Sequence, residues 1–292
     1  MAGLTANLNL AANILESIAT NSPGSLLQAI AFFVVWAGCW LPLAIACALA
    51  INWRPPQPLT TQQKLPLLAS LYAIAPLVLW LASRVVGASF SDYGFVWNLE
   101  LFSSLVIGFA LGVLGLVILF ALQTALGWIN WRKQDEPKLG AVLLPTFLLA
   151  LCISGIEELI FRGFLLTQLQ QDFVPIVAAA ISSAIFALLH LVWEQRETLP
   201  QLPGLWLMGM VLVLARWVDD GSLGLAWGLH TGWVWAIACL DTLGIVNYTG
   251  SGSEWVTGRY GKPLAGVAGI GFLLVTGGIL WFLSVGTAIG VF

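Results

Sequence analysis

Eight apolar runs divide this chain, and each is long enough to cross a bilayer. They are Leu26–Ile51, Leu65–Val86, Leu101–Trp128, Leu139–Leu166, Phe173–Trp193, Leu202–Val218, Leu223–Leu243 and Leu264–Gly286. A spanning helix needs about 20 mostly apolar residues. A transmembrane barrel would instead show short alternating strands with a polar lumen face. The expected fold is therefore all-α, a polytopic membrane protein of about eight transmembrane helices.

Composition supports this and excludes other classes. Of 292 residues, 59% are hydrophobic and 9% charged, where a soluble domain averages about 25% charged. So few polar groups cannot cover a water-facing surface, which sets aside a soluble enzyme and a disordered chain. A net charge of -3 offers nucleic acid no basic surface, so no nucleic-acid partner is expected. Membrane lipids are the expected surroundings. Cys39, Cys47, Cys152 and Cys239 all lie within apolar runs and read as small buried hydrophobes.

The chain reads as four stretches: a polar N-terminal segment 1–25, accessory helices 26–138, core helices 139–250, and a C-terminal loop with the last helix, 251–292. Residues Met1–Gly24 contain no Lys or Arg, so they lack a signal peptide's charged region and read as a surface or interfacial segment. Basic residues set the orientation. Arg54, Lys64, Arg132, Lys133, Lys138, Arg196, Arg259 and Lys262 fall to odd-numbered loops, against Arg84 and Arg216 elsewhere. The odd loops are thus expected on the cytoplasmic side or its equivalent.

Ionisable groups at membrane depth are costly and point to function. Here they cluster. The fourth run carries Glu157, Glu158 and Arg162, and the chain's two histidines, His190 and His230, both fall inside apolar runs. Glu158 and Arg162 are four apart, so they share a helix face and can pair. Glu157 lies about 100° around the helix and is free to point elsewhere, as a general base must. The segment Gln171-Asp172-Phe173-Val174-Pro175 reads as a turn and lies midway between Glu157 and His190. Two antiparallel helices joined there would bring those residues to one depth. Phe186 sits one turn before His190, and Ala178–Ala180, Ser182 and Ser183 allow close helix approach. His230 can donate a hydrogen bond to a developing oxyanion. Counted from the turns, it lies shallower than Glu157, which requires a tilted or projecting helix. Each feature also fits a structural role: Glu158–Arg162 as a helix ion pair, and either histidine as a bonded core residue.

These motifs resemble the CPBP family, the CAAX-prenyl-protease and bacteriocin-processing membrane proteins also called Abi. Glu157-Glu158-x-x-x-Arg162 matches its E-E-x-x-x-R motif, with Phe161-Arg162-Gly163 trailing. Phe186-x-x-x-His190 matches F-x-x-x-H, and His230 matches the histidine of H-x-x-x-N. The resemblance covers about Leu143 to Leu240. It implies a glutamic-type intramembrane endopeptidase that acts on a membrane-associated or prenylated peptide, with no obligatory metal. In that scheme Glu157 activates water with help from His190. His230 stabilises the oxyanion, and Glu158 with Arg162 holds the site. Phe186 and Val234 stand at supporting positions. The family's asparagine is Val234 here, and valine donates no hydrogen bond. Trp255 and Pro263-Leu264-Ala265-Gly266 are similar to members from photosynthetic lineages, so a thylakoid-type membrane stands beside an inner or plasma membrane.

Two other functions follow from the same residues. One is an inactive scaffold or assembly factor that keeps the fold and binds membrane-protein partners. The other is a zinc metalloprotease, since two histidines and two glutamates can ligate zinc, although H-E-x-x-H is absent. No cofactor is otherwise expected.

Overall fold

The computed structural model describes residues 24–54, 57, 59–133, 139–192 and 195–289. The expected interfacial segment before Gly24 lies outside them, as do Lys138 and Trp193. Eight long helices run in chain order: α1 Ser25–Ala50, α2 Thr61–Val85, α3 Leu99–Ala125, α4 Leu139–Glu158, α5 Pro175–Leu189, α6 Leu202–Val218, α7 Gly224–Leu243 and α8 Val267–Ile289. α4 continues without a break through a π-helical turn, Leu159–Leu165, to Leu169.

Seven helical stretches among the described residues are long and apolar enough to cross a membrane. The protein is an all-α, multi-pass integral membrane protein. The expected seventh run, Leu223–Leu243, does form a helix, α7, but is not among the seven. Its glycines, His230, Thr231 and Asp241 dilute its hydropathy. Its neighbours are α3, α4 and α6, so protein rather than lipid surrounds much of it. Among the described residues the helices are joined by one two-stranded antiparallel ribbon. In it β1 (Ile129–Trp131) pairs with β2 (Val246–Tyr248), linking the segments that follow α3 and α7.

The described chain forms two compact units. The first contains α1, α2 and Thr167–Val174. Within it the α2 N-terminus is closed by a capping box between Thr60 and Gln63, which satisfies helix-end N–H groups. α1 has no side-chain cap of its own. Its Ser25 N–H donates to Asp172 Oδ2 at 2.5 Å. Two indole N–H groups of α1 bond to α2, Trp36 to Leu71 O at 3.2 Å and Trp40 to Ser70 Oγ at 3.0 Å.

The second unit spans Phe90–Leu166 and Pro175–Phe292 and carries the site. Its tightest seam joins α3 to α7. Gly108 and Gly112 of α3 mesh with Gly224, Gly228 and Gly232 of α7. A Cβ at Gly232 would come within 2.7 Å of Phe109 O, and one at Gly112 within 2.8 Å of Leu229 O. Glycine at every fourth position lets two membrane helices approach to backbone contact. α7 is fixed to α4 by two further indoles, Trp227 Nε1 to Leu151 O at 2.8 Å and Trp235 Nε1 to Leu143 O at 2.9 Å. The N-terminus of α7 is held by Asp219, which accepts from Leu225 N at 3.0 Å and from Ser104 Oγ at 2.6 Å.

Two expectations are corrected. Arg216 is not a loop residue: it lies in α6 and is buried, so it carries no weight in the orientation count. Of the four cysteines only Cys239 is buried, while Cys39 and Cys152 are exposed on helices, an apolar position when the neighbour is lipid.

Candidate active site

Glu157 and Glu158 end the regular part of α4, and both are buried, at 6% and 0% exposure. Glu158 Oε1 accepts from Arg162 Nη1 at 3.1 Å, the expected four-residue pair, and from His230 Nδ1 at 2.7 Å. His230 reaches the other glutamate through its second nitrogen, Nε2 to Glu157 Oε2 at 3.5 Å. One imidazole therefore bridges two adjacent carboxylates. Spacing along the chain paired Glu157 with His190. In the structure the ring standing against Glu157 is that of His230, and His190 shares the same cavity wall.

His190 does not sit in mid-helix. It opens the short 3-10 turn that follows α5. Its Nδ1 lies 2.8 Å from Phe186 O. A carbonyl can only accept, so Nδ1 carries the proton, and in a neutral ring Nε2 is then an acceptor. Likewise the Glu158 carboxylate oxygen accepts the Nδ1–H of His230.

Phe186 organises this cluster. Its ring is fully buried, 4.6 Å from the His190 ring and 5.9 Å from the His230 ring. The Arg162 guanidinium lies over its face at 4.3 Å, a cation–π contact strengthened by exclusion of water. The spacing Phe186-x-x-x-His190 thus puts one aromatic ring against both histidines and the arginine.

Beneath the cluster the helix widens into the π turn. Such turns free backbone carbonyls and are frequent at functional sites. Two of those carbonyls are claimed by other helices. Ser182 Oγ of α5 donates to Phe161 O at 2.8 Å, and Arg216 Nη1 of α6 donates to Arg162 O. Arg216 Nε also donates to Gly221 O at 3.0 Å. Gly163 passes close to Tyr93, where an added Cβ would come within 3.2 Å. Sequence reasoning missed Arg216 and the α3–α7 glycine seam. Both left a signal: an arginine inside an apolar run, as with Arg162, and glycines at 224, 228 and 232.

The tilted or projecting helix that the different depths require is matched by the length of α4. α4 with its extension is a 31-residue helix, Leu139–Leu169, about 46 Å long at 1.5 Å per residue. That exceeds the roughly 30 Å hydrocarbon core.

A cavity of about 380 Å³ opens beside Glu157, His190 and His230. The remainder of its wall is mostly apolar and includes Trp233 and Val234, the position where the resembled motif has asparagine. Among the described residues, no His, Cys, Asp and Glu side chains form a group of three or more placed to hold a metal ion.

Fold and site together define the class: a helical membrane protein with a buried Glu–His–Arg cluster facing an internal cavity. Residues 139–236 match the family model of the Rce1-like proteins, described as type II CAAX prenyl endopeptidase Rce1-like. The matched stretch is similar to the CAAX-type intramembrane endopeptidases, and Glu157, Glu158, Arg162, Phe186, His190, His230 and Val234 all lie within it. This agrees with the family resemblance of the motifs. No curated protein and no solved structure matches the chain.

Proposed function

We propose that the protein is an intramembrane endopeptidase in which Glu157 activates a water against a membrane-associated or prenylated peptide. The observation that carries this reading is the Glu157–His230 pair, 3.5 Å apart on the wall of a cavity that His190 also lines. A water between Glu157 and the unprotonated Nε2 of His190 attacks the peptide carbonyl, and its proton passes to Glu157. The Nε2–H of His230 faces the oxyanion that forms, while Glu158 holds the far side of that ring. Glu157 then returns its proton to the leaving amine, which gives an acid and an amine from peptide plus water. Glu158, Arg162 and Phe186 act by position. No metal enters these steps. The apolar cavity wall suits a lipid-modified or membrane-spanning peptide, and bilayer lipid is the partner throughout.

The test is cleavage of a prenylated peptide by the full chain in liposomes. Glu157→Ala and His190→Ala should abolish it, and a chelator should leave it intact. Cleavage that survives both substitutions overturns the mechanism.

One observation favours a second reading, a binding protein that retains the protease fold: Val234 stands on the cavity wall and supplies no donor. Losing one oxyanion donor typically costs ~10²–10³ in rate. Under the protease reading Val234→Asn raises the cleavage rate. Under the scaffold reading both proteins are inert, and stable membrane-protein partners co-purify equally with wild type and Glu157→Gln.

A further inference from the structure

Arg216 is the one charged side chain inside α6, and it is buried. A guanidinium out of water is costly unless its donors are used. This one ties two pieces of backbone together. Its Nη1 donates to Arg162 O in the π turn of α4. Its Nε donates to Gly221 O, in the loop that leads into α7, at 3.0 Å. The Gly221 N–H donates back to the Arg216 carbonyl at 2.8 Å, so the side chain and main chain of Arg216 both hold that glycine.

The loop so held is tight. Asp220 and Gly221 lie in the left-handed region, at φ 51 and 85. Leu223 N–H, just before α7, donates to Gly94 O at 2.9 Å. A Cβ at Gly94 would run into the Gly221 carbonyl. Tyr93, its neighbour, is the residue that passes close to Gly163 of the π turn. Three backbone segments therefore meet at Arg216: the π turn, the Tyr93-Gly94 turn and the entry to α7. Two of them lead directly to the reactive cluster. The π turn starts at Leu159, next to Glu158, and His230 lies within two turns of the start of α7.

A π turn holds one more residue than an α turn, and one residue corresponds to about 100° of rotation. Its relaxation to regular helix would turn Glu157 and Glu158 relative to the rest of α4. The carbonyls it frees need donors, and Ser182 and Arg216 supply them. Arginine suits the task because its planar fork serves two acceptors at once and keeps its charge. The Glu158 charge also reaches it, so two arginines stand against two carboxylates. We infer that Arg216 is a positioning residue: its guanidinium clamps the π turn of α4 to the entry of α7 and so sets the contact of His230 with Glu157 and Glu158. Its effect on rate rests on the endopeptidase reading, while its effect on His230 does not.

The experiment compares wild type, Arg216→Met and Arg216→Lys as full chains in liposomes. Cleavage is measured below the melting temperature of each, and the ring nitrogens of the two histidines are followed by magnetic resonance. His230 is the reporter. His190 is the control, because its Nδ1 bonds to Phe186 O of the helix it follows. Arg216→Met keeps the length and removes both donors. Its kcat should fall about 10²-fold with KM within about twofold of wild type, the scale of a small misplacement of reacting groups. The His230 signals should move and those of His190 should stay. Lysine keeps the charge without the fork, so Arg216→Lys should lose about tenfold in kcat, with a smaller movement of His230. A merely structural arginine would lower the melting temperature alone. Unmoved His230 signals, or a wild-type kcat in the variants, overturn the inference. Should Arg216→Met not fold, Arg216→Lys decides by the same two readouts. Moved His230 signals with no cleavage by wild type sink the protease reading and keep the clamp. Cleavage by wild type with His230 unmoved in both variants does the reverse.

Discussion

On one face of α4 the Glu157 carboxylate lines a 380 Å³ cavity with two histidines. One residue later Glu158 is closed in completely, between Arg162 and His230. The two side chains have the same chemistry and opposite surroundings. The difference separates a group that can meet a substrate from one that can only hold others in place. A buried ion pair adds little net stability, because desolvation offsets attraction, yet losing one partner is severe. On the proposed mechanism Glu158 and Arg162 are thus costly to remove without taking part in chemistry, whereas loss of Glu157 is expected to cost the fold less.

The contrast can be broken most forcefully from the sealed side. Arg162→Leu leaves Glu158 bonded to His230 Nδ1 alone of its two hydrogen-bond partners and takes the cation from the Phe186 face. A loss of about 3–5 kcal/mol is expected, read as a large drop in thermal stability in detergent, with activity falling alongside. Next is the seam that positions His230. In Gly228→Ala the new Cβ meets the Leu105 carbonyl, and overpacking of this kind costs about 1–3 kcal/mol. Activity should fall further than stability, because a shift of α7 moves His230 away from both carboxylates. Ser182→Ala is milder. It removes one donor to Phe161 O at a cost of about 1 kcal/mol, read as a small drop in melting temperature with cleavage retained.

The smallest effect lies away from both faces, at Asp172. The Ser25 N–H donates to it and holds its carboxyl below the ordinary carboxylate range. A depressed folded-state pKa stabilises above the unfolded value and ceases to do so as pH falls through the folded one. Asp172→Asn should therefore lower stability slightly at neutral pH and match wild type in strong acid. Tryptophan fluorescence of α1, through Trp36 and Trp40, reads this. Cleavage at neutral pH should not change.

Much of this site is legible in the sequence, for a physical reason. Charge inside an apolar run is expensive, so Glu157, Glu158, Arg162 and the two histidines stand out, and four-residue spacing pairs Glu158 with Arg162. The helix positions are legible too, because spanning segments need long apolar runs. Other features depend on three dimensions. The spacing of Glu157 and His190 about a turn does not show that His230 reaches both glutamates, since that depends on how α7 packs. A π turn adds one residue to a helical turn and has no compositional mark. α7 falls short of the seven because its glycines, His230, Thr231 and Asp241 lower its hydropathy, and nothing in its sequence shows that its neighbours are protein.

The account rests on assigning different work to two adjacent glutamates, and one paired measurement tests it. Cleavage rate and melting temperature are recorded on the same liposome-reconstituted samples of wild type, Glu157→Gln and Glu158→Gln. Glu157→Gln should lose about 10²–10⁴ in rate, the range of general acid–base catalysis, with its melting temperature close to wild type. Glu158→Gln should lose stability and activity together. A Glu157→Gln protein that cleaves as wild type does, or that loses activity only as far as it loses stability, would contradict the assignment.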